Sequence, residues 1–174
     1  EAQQDRFMFN IRVEYPLRQE ELEIARLTTA VWRPEVRKVL TGEMILALQQ
    51  IVRRVPTARS VVQYAVNLVR ATRLNNPLAP RFVREWVTWG AGPRASQYLI
   101  LAAKARAVLQ GRTYVSSDDV RAVAKPVLRH RVLCNVNAEA EGITSDAIVE
   151  KLLELVPPVE SDVLDDRRLP QLAG

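Results

Sequence analysis

Glycine is scarce in this chain of 174 residues: there are six, and none falls in a Gly-x-x-x-x-Gly-Lys-Ser/Thr or Gly-x-Gly-x-x-Gly run. Those runs need glycine where the backbone closes on phosphate oxygens, so the chain carries no phosphate loop of its own. One cysteine, Cys134, and one histidine, His130, exclude a zinc site built from Cys and His within one chain, and a dithiol redox motif. No apolar stretch approaches the length of a membrane span, and the N-terminus lacks the charged-then-apolar layout of a signal peptide. The chain opens on Glu1 rather than Met, and it reads as a soluble, cytoplasmic piece of something longer. What is present is ordinary for a globular protein, with 48% hydrophobic and 26% charged residues. A chain of this size buries about 70% of its unfolded surface and needs no disulfide or metal staple.

The net charge of +5 is unevenly spread. Glu139 to Gly174 holds nine acids and three bases, a balance of −6, which leaves +11 on the rest. Between Arg53 and Arg94 there are eight arginines and one acid, Glu85. Three readings fit this stretch: a solvated helical surface, a nucleic-acid patch, or a face toward acidic partners or nucleotide phosphates. Arginine outnumbers lysine 21 to 4, and its planar fork suits bidentate phosphate and carboxylate contacts.

The first ordered pattern has period two. Phe7, Phe9, Ile11, Val13 and Tyr15 alternate with Met8, Asn10, Arg12 and Glu14, which predicts a strand that Pro16 ends. A lone strand cannot satisfy its own backbone groups. No second strand of comparable quality follows, so Phe7–Tyr15 is expected to be an orphan whose sheet lies upstream.

After Pro16 the pattern turns helical. Helices are expected over Glu20–Val31, from about Glu43 to Pro56 with Thr41 as N-cap, and over Arg59–Leu74 with Val62, Ala65, Val66 and Val69 as one face. The aromatic segment Phe82–Trp89 is ambiguous. Gly90–Pro93 opens a long helix apolar on nearly its whole circumference, the expected central helix of a bundle, with Pro93 at its first position and Gly111 at its end. Ser116-Ser117-Asp118-Asp119 reads as a capping box with Asp in place of Glu. Thr144 caps a last helix, Ile148–Val156, and an acidic, mobile tail follows Pro157-Pro158.

Two arginines carry candidate chemistry. Arg94 falls in the first turn of the long helix, where the macrodipole disfavours cations by roughly 0.3–1 kcal/mol. It is either a tolerated surface residue or half of an anion site, since a helix N-terminus beside an arginine is built to hold a phosphate oxygen. Arg6 either pairs with Asp5 or Glu1, or projects from a domain edge toward a neighbour's nucleotide. Other constellations are bland. Capping explains Asp118 and Asp119, His130 has no nucleophile partner in a recognisable motif, and Cys134 reads as a small buried hydrophobe. Trp32, Trp86 and Trp89 fit core or interface anchors better than a base-stacking platform.

Several of these stretches resemble one family. Glu1-Ala2-Gln3-Gln4-Asp5-Arg6-Phe7 is similar to the segment before the last core strand of MoxR-type AAA+ ATPases, Pro-Glu-Ala-Gln-Leu-Asp-Arg-Phe. Gly90-Ala91-Gly92-Pro93-Arg94-Ala95-Ser96 resembles that family's sensor 2 motif, Gly-Ala-Ser-Pro-Arg-Ala, with Gly92 replacing the usual Ser. Ala71-Thr72-Arg73, Gly111-Arg112-Thr113-Tyr114-Val115 with Asp118-Asp119-Val120, Val127-Leu128-Arg129-His130-Arg131 and Gly142-Ile143-Thr144 match in order and approximate spacing, so the similarity covers nearly the whole chain up to Pro158.

The resemblance implies a mainly α fold: residues 1–16 as the end of an α/β P-loop core, 17–158 as a helical-bundle AAA+ lid, and 159–174 as the acidic tail. It implies Arg94 as sensor 2, with Pro93 and Ala95 beside it at the nucleotide, and Arg6 as an arginine finger acting in trans on the adjacent subunit's ATP. It further implies ATP and Mg2+ as cofactors of the full-length protein, with no metal ligands in this chain. The implied partners are an upstream core domain, like subunits in a ring of commonly six, and proteins with von Willebrand factor A domains. The full-length protein would be a chaperone-like ATPase and this chain alone inactive, because Walker A and Walker B are absent. The competing readings are an Arg-rich nucleic-acid-binding module and a protein-interaction module.

Overall fold

The computed structural model of the chain describes residues 3–31, 33–77 and 79–159. By contacts it divides into two compact units, the described parts of Glu1–Asn10 with Ile51–Gly174, and Ile11–Gln50. Expectations for Trp32 and for the tail from residue 160 onward lie outside the described residues.

The first segment differs from expectation. Phe7–Tyr15 forms no strand; residues 3–8 are turn and bend, and 9–17 have no regular structure. The alternation is real, but one face is bare, with Ile11, Val13 and Tyr15 74%, 90% and 98% exposed, and on the other face Met8 is half-buried against the core while Asn10, Arg12 and Glu14 are exposed. Without a neighbouring strand to take its N–H and C=O groups, an alternating segment has no ladder to join. The 11–50 unit continues with α1 (Arg18–Thr28) and the start of α2 (Gly42–Arg54). Glu20 accepts the Leu17 N–H at 2.8 Å to start α1, and Thr41 Oγ1 accepts the Met44 N–H at 3.2 Å, the expected cap of α2. Neither helix buries a residue.

The described residues of the larger unit share one apolar core. It contains α3 (Arg59–Ala71), α4 (Arg81–Trp86), β1 (Val87–Trp89), α5 (Pro93–Leu109), α6 (Ser117–Leu128), β2 (Leu133–Cys134), α7 (Val136–Ala140) and α8 (Ser145–Leu155). β1 and β2 pair antiparallel. The ambiguous segment Phe82–Trp89 thus divides into the end of a helix and a short strand. α5 is the central helix the sequence predicts: between Ala95 and Val108 only Gln97 is exposed. Ala95, Ala102, Ala103 and Ala107 are buried with Leu99, and small residues there let α3 and α6 approach closely. Gly111, at φ +70°, ends the helix in a left-handed turn that lets the Arg112 N–H reach back to the Ala107 carbonyl at 2.9 Å.

The buried face of α3 is rotated from the expected one. Val61, Tyr64, Ala65, Leu68 and Val69 face the core, while Val62 and Val66 are 39% and 37% exposed. Both faces contain valines at helical spacing, and the choice falls to the face that carries the larger Tyr64 and Leu68, both fully buried; each fully buried side chain of this size contributes about 1.5–3 kcal/mol. The capping box forms as expected, with Asp119 Oδ2 accepting the Ser116 N–H at 2.9 Å. Thr144 Oγ1 accepts the Ala147 N–H at 3.3 Å and caps α8. No helix among the described residues is long and apolar enough to cross a membrane.

Candidate functional site

The loop between β1 and α5 is held from below by the end of α3. A Cβ on Gly90 would lie 2.2 Å from the Thr72 carbonyl oxygen and 2.9 Å from the Arg73 Cα, so only glycine fits there. Thr72 is fully buried. Its hydroxyl donates to the Val69 carbonyl at 2.7 Å and accepts the Ala91 N–H at 2.9 Å. Arg73 Nε donates to the Ala91 carbonyl at 3.0 Å. This anchoring delivers Gly92 as an extended N-cap and Pro93 at the first helical position, with Arg94 next. The Ala95 N–H bonds back to the Gly92 carbonyl at 3.1 Å and its side chain is fully buried. Pro93 and Ala95 therefore shape the helix start, and Arg94 is the member that reaches outward.

Arg94 stands at the N-terminus of a 17-residue helix with no acid in its first turn. Its guanidinium donates to Asp5 Oδ2 at 2.8 Å, with the two side chains 46% and 38% exposed. Asp5 is shared: its Oδ1 accepts from Arg131 Nε at 3.0 Å. The Arg131 side chain is 2% exposed. It also donates to the carbonyls of Asp5 at 2.8 Å, Phe7 at 2.6 Å and Met8 at 3.3 Å, and to that of Val127. Its guanidinium carbon lies 5.1 Å from the centre of the Tyr98 ring, and the Tyr98 hydroxyl donates to the Arg6 carbonyl at 2.9 Å. His130 Nε2 donates to the Phe7 carbonyl at 3.1 Å. Its Nδ1 is buried without a hydrogen-bond partner among the described residues. Burial first, and then the neighbouring Arg131 charge, hold the His130 pKa below its ordinary value. Asp5, Trp89, Gly92, His130 and Arg131 line an open cleft of about 440 Å³ beside this helix end.

Of the two readings of Arg6, the pair with Asp5 is not what this carboxylate makes, since both of its oxygens serve Arg94 and Arg131; Glu1 lies outside the described residues. Arg6 is exposed, with its guanidinium 5.3 Å from the centre of the Phe7 ring. Tyr98 carries no signal in the sequence, and Asp5 and Arg131 enter there only as a candidate partner of Arg6 and as the end of the Val127–Arg131 match. Arg131 carries no local signal, since it closes the polar run Arg129-His130-Arg131 between Leu128 and Val132. The arginine-rich stretch is partly occupied, because Arg73, Arg84 and Arg94 are held by Ala91, Pro77 and Asp5. Trp86 is a half-buried anchor, its ring 5.7 Å from that of Phe82 with Lys151 Nζ 4.3 Å over its face; Trp89 is 69% exposed. Cys134 is partly buried, and burial raises its thiol pKa.

Chemically, the arrangement offers a helix N-terminus, a half-exposed guanidinium and a cleft, which together suit an anion such as a phosphate. The AAA lid domain family matches residues 79–152, the stretch from the start of α4 into α8, so this helical unit is an AAA+ lid. Chaperone MoxR1 of Mycobacterium tuberculosis (strain ATCC 25618 / H37Rv) is 38% identical over 156 residues, covering 90% of this chain and 41% of its own. Protein YeaC of Bacillus subtilis (strain 168), described as uncharacterized, is 35% identical over 157 residues, 90% of this chain and 46% of its own. The crystal structure of a "putative ATPase" from Cytophaga hutchinsonii ATCC 33406 superposes with a TM-score of 0.82 at 32% identity, covering 92% of this chain and 48% of that one. The chain belongs to the MoxR family of AAA+ ATPases, and it spans less than half the length of these relatives.

Proposed function

We propose that this chain supplies the lid of a chaperone-like AAA+ ATPase, in which Arg94 acts as sensor 2 on ATP held by its own subunit and Arg6 as an arginine finger on the ATP of an adjacent one. One observation carries the reading: Arg94 emerges from the first turn of α5, half exposed, on a loop rigidly anchored to α3. A guanidinium whose backbone is held at a helix N-terminus reaches a phosphate with little rearrangement of the chain. The residues fit a nucleotide's phosphates. Asp5 is exchangeable for a phosphate oxygen at Arg94 because that ion pair is exposed. ATP, when bound with Mg2+, supplies the phosphoryl group. The ion's protein ligands would come from the upstream core. The lid's closure on nucleotide transmits the ATP state around a ring of like subunits to a client protein, for which a von Willebrand factor A domain protein is the leading class.

The test is turnover of the full-length ATPase. Arg94→Ala should lower ATP hydrolysis about tenfold or more with the fold intact. Arg6→Ala should lower it by at least about 100-fold, with activity recovered when Arg6→Ala and Arg94→Ala subunits are mixed in one assembly. Unchanged turnover in Arg94→Ala would remove the sensor 2 role, and absence of recovery would remove the trans role of Arg6.

A further inference from the structure

We propose that Arg131 is a positioning residue for the finger: it clamps the segment bearing Arg6 onto the lid, so that Arg6 and Arg94 move as one body. The proposal rests on the roles given above to those two arginines and goes beyond them. The geometry is specific to the finger segment. Arg131 serves the Asp5 carboxylate and three successive-region carbonyls, those of Asp5, Phe7 and Met8, and Tyr98 takes the one left between them, that of Arg6. Every carbonyl from Asp5 to Met8 is therefore bound by a side chain of α5 or of the turn after α6, while the Arg6 side chain remains exposed. A segment held by its backbone and exposed at its side chain is a mount.

Asp5 completes the connection. One oxygen lies on Arg94 and the other on Arg131, so the start of α5 and the finger segment share a carboxylate. Arg131 is suited to this task where lysine is not, because its planar fork offers several donors in fixed directions. Its side chain is 2% exposed, so the clamp is set by the packing of α5 against α6 and follows the lid when the lid moves. Tyr98, one turn along α5 from Arg94, holds the Arg6 carbonyl, so the finger segment stays with α5 when phosphate takes Arg94 from Asp5, and a lid drawn toward nucleotide in one subunit shifts the finger offered to the next. A displacement of about 1 Å in a catalytic group can cost on the order of 100-fold in rate.

Complementation in mixed assemblies of the full-length ATPase tests this. An Arg131→Ala subunit keeps Arg94 but presents a misplaced finger; an Arg94→Ala subunit keeps its finger but lacks sensor 2. Each alone should turn over ATP about 10–100-fold more slowly than wild type. Mixed, they should recover activity, because an Arg94→Ala subunit lends its finger to an Arg131→Ala pocket. A purely structural defect in Arg131→Ala would not be recovered by any partner. Arg131→Lys, which keeps the charge for Asp5 but not the fork, stands in if the alanine variant does not assemble, and the same recovery is expected. The control is the Arg6→Ala and Arg94→Ala mixture. Recovery in the control without recovery in either Arg131 mixture overturns the clamp and leaves the finger assignment standing. Failure of the control overturns the finger assignment, and the clamp with it.

Discussion

Two arginines meet one carboxylate at Asp5, and burial sets what each pair is worth. The Arg94 pair is 46% and 38% exposed, so solvent and salt screen it, and it contributes about 0–1 kcal/mol. Arg131 is 2% exposed and cannot recover its hydration if Asp5 is neutralised. Asp5→Asn should therefore cost about 1.5–3 kcal/mol in urea unfolding, whereas Arg94→Ala should cost no more than about 1 kcal/mol. Equal losses would contradict the division of labour between the two. That division also suits function, because the weakly held arginine is the one free to exchange its partner for a phosphate. In the sequence Arg94 is conspicuous because it breaks the dipole rule within its own helix turn. Arg131 breaks no local rule, and nothing near it in sequence names Asp5, 126 residues away.

At the scale of elements, start and stop signals were the most legible feature. Thr41, Pro93, Gly111, Ser116 and Thr144 each act within one helical turn, and each stands where its chemistry requires. The box at α6 carries more than a cap. Asp119 is fully buried and accepts from Arg106 at 2.6 Å and from Arg112 at 2.7 Å, which ties the end of α5 to the start of α6. Burial alone would raise its pKa; the hydrogen bonds from Arg112, Ser116 and Arg106 outweigh burial and hold it well below the usual carboxylate range. With the folded pKa depressed, this contribution is full above the ordinary value of 3.8 and is lost as pH falls. Asp119→Asn should cost about 2–4 kcal/mol at neutral pH and should flatten the acid limb of stability against pH, followed by circular dichroism. An acid limb as steep as wild type would place the sensitive carboxylate elsewhere. Faces were harder to read than ends. α3 offers valines on two sides, and which side is buried depends on where α5, α6 and α8 lie.

For the whole molecule, the decisive fact is what its elements leave uncovered. α1 and α2 bury none of their residues, and the alternating Phe9–Tyr15 stretch is exposed throughout. This chain has the lid's own core but no phosphate loop. Expressed alone, it should fold cooperatively and release no phosphate from ATP above background. Measurable turnover in a phosphate-release assay would contradict its role as a lid and finger donor.

The helical class, the ends of most helices, the central place of α5 and the prominence of Arg94 all follow from local chemistry. Capping, proline and glycine stops, hydrophobic period and helix dipole act within a few residues, and so are written in consecutive letters. The unformed strand, the buried face of α3, and the assignment of Asp5 to Arg94 and Arg131 rather than to its neighbour Arg6 were decided by tertiary packing. Each depends on groups brought together from distant parts of the chain, where desolvation decides which polar partners must be satisfied and which apolar faces are covered.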